Sequence, residues 1–270
     1  MKKQILATAL LSGLILVTFV PAASALDKTA DTKGSVQFEK VGENEVGEVV
    51  KPDTEDKPEN IIVPEGGGNT TGPLRLQHVP DIKFGTVTFK TGNTKHQAIL
   101  ENYTKDGVAG DQAIPQFVQV TDERGDDTGT WKVTVSGTTF KEKVAGGGPA
   151  TVPELMNTKI VVKQQKFFNT VTDYATPVVS AETLVSGFTG TELTIPTNGT
   201  DSVLVMQTKA GKSTNGSKTS VVFNSDYTDA SSYVVGEKNA GIILDKANGD
   251  NIVVDKAYES DLTWTLSDSI

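Results

Sequence analysis

Tyr258-Glu259-Ser260-Asp261-Leu262-Thr263-Trp264-Thr265-Leu266-Ser267-Asp268-Ser269-Ile270 closes the chain, and its reading decides the fold. Tyr258, Leu262, Trp264 and Leu266 share one parity; Asp261, Thr263, Thr265 and Ser267 share the other. Apolar and polar sides alternating with a period of two predict a half-buried β-strand. A strand this near a chain end stays ordered only where a sheet ties it down. Leu262–Asp268 is therefore expected to be a closing strand of a β domain.

Residues 130–137, TWKVTVSG, echo that stretch. Trp131, Val133 and Val135 fall on one face, and Lys132, Thr134 and Ser136 on the other. The chain's only two tryptophans thus each open a Trp-x-aliphatic triplet, Trp131-Lys132-Val133 and Trp264-Thr265-Leu266. On these residues the sequence resembles the WxL-domain surface proteins of low-GC Gram-positive bacteria. Those proteins carry a Trp-x-Leu-like motif within the domain and a C-terminal YxxxLTWxLxD-type motif. The second is matched from Tyr258 to Asp268; in the first, Val133 stands where the family has Leu. The resemblance runs from about Gly72 to the end, and more loosely from Thr32. It implies a secreted protein held non-covalently on the cell wall, with peptidoglycan as ligand and Trp131, Val133, Trp264 and Leu266 as motif residues, by contact or by support. It also leaves room for WxL-associated surface proteins or host matrix proteins as partners.

The N-terminus reads as an export signal. Lys2 and Lys3 precede an apolar run from Ile5 to Val20, and Ala23-Ser24-Ala25 forms an A-x-A cleavage signature. The run falls short of the ~20 residues that span a bilayer. Residues 1–25 are therefore expected to be a cleaved signal peptide, with no membrane insertion afterwards. No Cys follows the apolar run, which excludes a lipoprotein, and no LPxTG-like motif writes a covalent attachment to the wall. A protein retained on the cell would then be held by its folded domain.

Formal charge is −9, and loss of Lys2 and Lys3 makes the mature chain more acidic. Such a chain has no electrostatic reason to bind nucleic acid, anionic lipid or strongly anionic wall polymers. The absence of Cys excludes disulfides, thiol nucleophiles and Cys-ligated zinc. About 245 residues remain after cleavage, enough for one large β domain.

Residues 26–72 are expected to be a leader. Gly34–Glu39 alternates; it either adds a strand to the main sheet through Val36 and Phe38 or stays unordered with the rest. Gly42–Gly72, rich in Glu, Pro, Gly and Asp, has the composition of an extended linker or surface loop. From Pro73 the pattern is β throughout. Strands are expected over Lys83–Lys90, Gln116–Thr121, Thr130–Ser136, Lys159–Lys163, Ser202–Thr208, Lys218–Asn224, Gly241–Leu244, Asp250–Asp255 and Leu262–Ser267. Gly92, Gly125, Gly199, Gly216 and Gly249 punctuate them at turns. Pro153–Asn157 is expected to form one helical turn capped by Thr151. The sum is an all-β, antiparallel, sandwich-like single domain over residues 73–270.

Among possible sites, the tryptophans carry two readings. Their apolar faces argue for burial in the core; an aromatic platform stacking on sugar rings is the alternative. Asp122, Glu123, Asp126 and Asp127 lie in the loop TDERGDDTG, whose spacing lacks the calcium-loop pattern, so a solvated turn is expected. Ala210-Gly211-Lys212-Ser213 mimics the end of a phosphate-binding loop but lacks its first Gly, and a strand rather than a helix follows. Residues 209–217 are accordingly expected to be a hairpin loop. His78 and His96, without Cys or an HExxH spacing, give no metal centre or Ser–His catalysis. No cofactor, metal or enzymatic activity is expected.

Overall fold

The computed structural model describes residues 33–105, 108–126 and 129–268. The expected signal peptide lies outside them. The chain divides into two units at Phe38/Glu39. In the first, the described residues 33–38 are in no strand and are exposed, with Val36 at 75 % and Phe38 at 87 %. Of the two readings of Gly34–Glu39, the added strand is not formed.

The second unit is all-β and antiparallel. Its only helical turns among the described residues are short 3₁₀ segments. It is not a sandwich of two facing sheets. Four small four-stranded sheets are disposed in a propeller-like ring. The central sheet runs, in spatial order, Lys166–Asn169, Ser217–Val222, Phe117–Asp122 and Leu74–His78. The tryptophan sheet runs Val185–Gly187, Val203–Thr208, Lys132–Gly137 and Leu262–Ser267. A lateral sheet holds Leu193–Thr194, Lys159–Val162, Lys238–Lys246 and Thr94–Ile99. An N-terminal sheet holds Val49–Val50, Ile61–Pro64, Glu101–Lys105 and Val108–Ile114.

The central sheet explains why two facing layers are not enough. Every residue of Phe117–Asp122 and of Ser217–Val222 is buried, so both its faces are covered. Val118, Val120, Val221 and Phe223 join the main core with Trp131, Val133 and Val135. The opposite face carries a second apolar cluster, Phe117 and Val222 with Ile62, Ile114 and Tyr227, beside polar side chains satisfied by hydrogen bonds. Gln119 donates to the Val50 carbonyl (2.7 Å) and accepts from the Val50 N–H (3.0 Å). Lys218 pairs with Asp56 at 2.9 Å, and Arg75 with Glu123 at 2.7 Å.

Those contacts order a stretch whose composition reads as a linker. Within Gly42–Gly72, Val49–Val50 and Ile61–Pro64 pair with each other, and the latter with Glu101–Lys105. Val50 and Ile62 are fully buried. Tertiary hydrogen bonds and two apolar anchors here override a composition rich in charge, Pro and Gly.

Other expectations are corrected. Lys83–Lys90 has the alternation of a strand, but only Lys83 makes an isolated bridge, to Ile99. Asp250–Asp255 is likewise unpaired; Asp255 sits at φ 64°, a conformation that ends a ladder. Pro153–Asn157 makes no helical turn: Leu155 bridges Phe140, and the Thr151 hydroxyl donates to Glu142. Residues 209–217 are no hairpin loop, because Val203–Thr208 belongs to the tryptophan sheet and Ser217–Val222 to the central one.

Candidate functional site

The two Trp-x-aliphatic triplets sit on neighbouring strands. Lys132–Gly137 pairs antiparallel with Leu262–Ser267, with Val133 opposite Leu266 and Val135 opposite Trp264. Three of the four motif residues are thus joined in one patch of sheet; Trp131 immediately precedes the paired strand. Sequence periodicity predicts each strand but not their pairing, since register depends on what the rest of the sheet buries.

Trp131 is core. It is fully buried, as are Val133 and Val135. Its indole N–H donates to Thr214 Oγ1 at 2.7 Å, and Thr214 donates to Asp122 Oδ2 at 3.1 Å. Asp122 in turn holds Arg124 through two hydrogen bonds of 2.9 Å. Arg124 also donates to the carbonyl of Gly129, 3.0 Å away, just before Trp131. The hydrogen bond to Asp122 raises the Arg124 guanidinium's affinity for its proton. The acidic loop is therefore no open turn at its start: Asp122 is a buried anchor and Glu123 is paired with Arg75. Asp127 lies outside the described residues. The 209–217 connection contributes Thr214, the acceptor that a buried indole needs.

Trp264 is placed differently. It is partly buried and stacks on the buried Phe223, ring centroids 6.4 Å apart at 21°. Its remaining surface lines a groove with a cavity volume of about 1380 Å³. Leu262 and Trp264 of the tryptophan sheet form one wall, and His96, Ile99, Leu244 and Lys246 of the lateral sheet another. The two β-like but unpaired stretches complete it: Phe84 and Phe89 come from the first, Val253 and Val254 from the second. Leu266 packs against the core from the same strand face.

The entrance to the last strand is clamped. Tyr258–Glu259 pairs with Lys141–Glu142. Glu142 meets Lys256 at 2.7 Å and also accepts from Thr151, which together hold its carboxyl down at about 2. Tyr258 Oη accepts from the Val253 N–H at 3.1 Å.

The histidines are separate. His78 is buried against Phe117, its Nε2 3.1 Å from Glu101 Oε2. Burial pushes the Glu101 carboxyl up, opposed by His78. His96 lies in the groove wall; burial first, then Lys246, Lys90 and Lys238, push it below its ordinary value. Among the described residues no three His, Cys, Asp or Glu side chains form a metal-ligating cluster.

These features describe an all-β domain with an aromatic-lined groove beside the sheet that carries both tryptophan motifs. The chain belongs to the WxL domain surface cell wall-binding family, whose family model matches residues 25–269. That membership makes it a surface protein associated with the cell wall. No curated protein and no solved structure matches the chain.

Proposed function

We propose that this is a secreted, non-enzymatic protein that attaches non-covalently to peptidoglycan through its WxL region, with Trp264 as the contacting tryptophan and Trp131, Val133 and Leu266 as its support. One observation carries the reading: of two equivalent motif tryptophans, only Trp264 opens onto a groove, among aromatic side chains suited to the apolar faces of sugar rings. The apolar leader at residues 5–20 with its A-x-A site supports export, as does a family match that starts at residue 25.

The test is co-sedimentation of residues 26–270 with protein-free Gram-positive sacculi, wild type beside Trp264→Ala, with near-UV circular dichroism on both. Wild type is expected in the pellet, and a folded Trp264→Ala in the supernatant. A folded mutant that pellets fully removes Trp264 from the contact. Wild type left in the supernatant ends direct wall binding, and one feature then favours a partner protein. Among the described residues Leu262–Ser267 is an edge strand, paired on one side, which suits strand addition. Release of soluble muropeptides in the same assay would overturn the non-enzymatic reading.

A further inference from the structure

Three basic side chains among the described residues are more than nine-tenths buried: Arg75, Lys218 and Lys246. Arg75 has Glu123 as its countercharge and Lys218 has Asp56. Lys246 has no carboxylate partner among the described residues. Its Nζ donates to the carbonyls of Lys90 (3.0 Å) and Gly92 (2.7 Å) and stands 5.3 Å from the centre of the Phe89 ring. Carbonyls and a ring face orient an ammonium but leave its unit charge uncompensated, which is costly in a buried place. An ammonium has three donors, and two are used.

Lys246 lines the groove, and its surroundings are cationic. Lys90 is exposed at the same end and pairs with no carboxylate among the described residues. Among the described residues Lys238 donates to the Phe84 carbonyl, at 3.4 Å, and pairs with no carboxylate. His96, in contact with the Thr94 hydroxyl at 2.9 Å, is pushed down by burial and by these three lysines. In a chain of net charge −9 this is a local excess of positive charge at one end of the groove.

We infer that the Lys246–Lys90 end of the groove is a carboxylate site, and that it takes a carboxylate of the peptidoglycan peptide stem. Lys246 is the fixed buried charge and Lys90 the solvent-side partner; this deepens the wall-binding reading and rests on it. The rest of the groove favours a peptide carboxylate over a polyphosphate chain. Asp255 and Asp261 line it without a basic partner among the described residues, and they repel a polymer with closely spaced phosphates. A peptide with isolated carboxylates meets no such barrier.

The test has two arms on the full mature chain. In the first, His96 is followed by NMR as the protein is titrated with muramyl dipeptide, its carboxamide, and inorganic phosphate. The free acid is expected to move the His96 titration back up toward its ordinary value, because an anion offsets the lysine field. The carboxamide is expected to leave it unmoved. Lys90→Gln, an exposed change that keeps the fold, should weaken the acid by roughly two- to fivefold. Lys246→Met should abolish the response. An acid that leaves His96 unmoved, or a carboxamide that acts equally, overturns the site; phosphate acting as strongly as the acid overturns the peptide assignment. In the second arm, sacculi with amidated carboxyls are compared with native ones. Equal pelleting on both leaves wall binding standing and removes the carboxylate site from it. No pelleting on either, with His96 still responding to the acid, removes wall binding and keeps the site.

Discussion

Trp131 and Trp264 open the same three-residue pattern on adjacent strands, yet their surroundings share little. Trp131 is enclosed, its indole N–H held by Thr214 and, through it, by Asp122 and Arg124. Trp264 has Phe223 on one side and a groove on the other. The difference follows from strand position. Lys132–Gly137 lies inside its sheet, between Val203–Thr208 and Leu262–Ser267, whereas Leu262–Ser267 is the edge. A repeated motif thus divides its labour, one copy packing the core and the other lining the groove.

The largest effect expected is at Trp131. Trp131→Ala should cost about 3–5 kcal/mol by removing a fully buried ring, read by urea unfolding. Wall binding would be lost with the fold. A cost as small as a surface substitution's would end the contrast. Next is Thr214→Val, close in shape but unable to accept from the indole. Leaving a buried N–H unsatisfied should cost about 1–3 kcal/mol, and Trp131 fluorescence should report it. Trp264→Ala should cost less, about 1–2 kcal/mol, since part of that ring is already in solvent. Its near-UV spectrum should keep the Trp131 bands. If it unfolds like Trp131→Ala, both tryptophans are core and the division of labour is wrong.

Much of this was legible in residues 130–137 and 258–268, because strict alternation over a half-buried sheet leaves its trace in the sequence. The same rule misled at Lys83–Lys90. Its alternation is as regular, but only Lys83 reaches the free edge of Thr94–Ile99, at Ile99, and the rest of the stretch becomes a groove wall instead. The converse error lay at residues 49–64, where the signal was polar. Their order comes from Gln119 and Lys218, some 70 and 160 residues downstream, and no local pattern encodes such contacts. The groove itself was invisible for the same reason. Lys246 reads as an ordinary charged residue at the end of GIILDK; its burial and missing countercharge exist only once two sheets and an unpaired stretch meet.

The smallest effect separates the tryptophans by pH. The clamp before Trp264 is ionic: Glu142 on Lys256, with Thr151 donating to the same carboxylate. That carboxyl is held at about 2, below its ordinary 4.5. A depressed carboxylate contributes stability above its unfolded value, and the contribution is lost as pH falls from about 4.5 toward 2. Lys256 is exposed, so the effect is modest and salt should weaken it. The Trp131 indole is held directly by a neutral hydroxyl. Hydrogen exchange at Tyr258 and Glu259 should therefore accelerate between pH 4.5 and 2 before amides around Trp131 do, and Glu142→Gln should be fast already at pH 6. If the mutant keeps the wild-type profile, something other than this clamp titrates, and the acid-sensitive half of the comparison fails while the packing half stands.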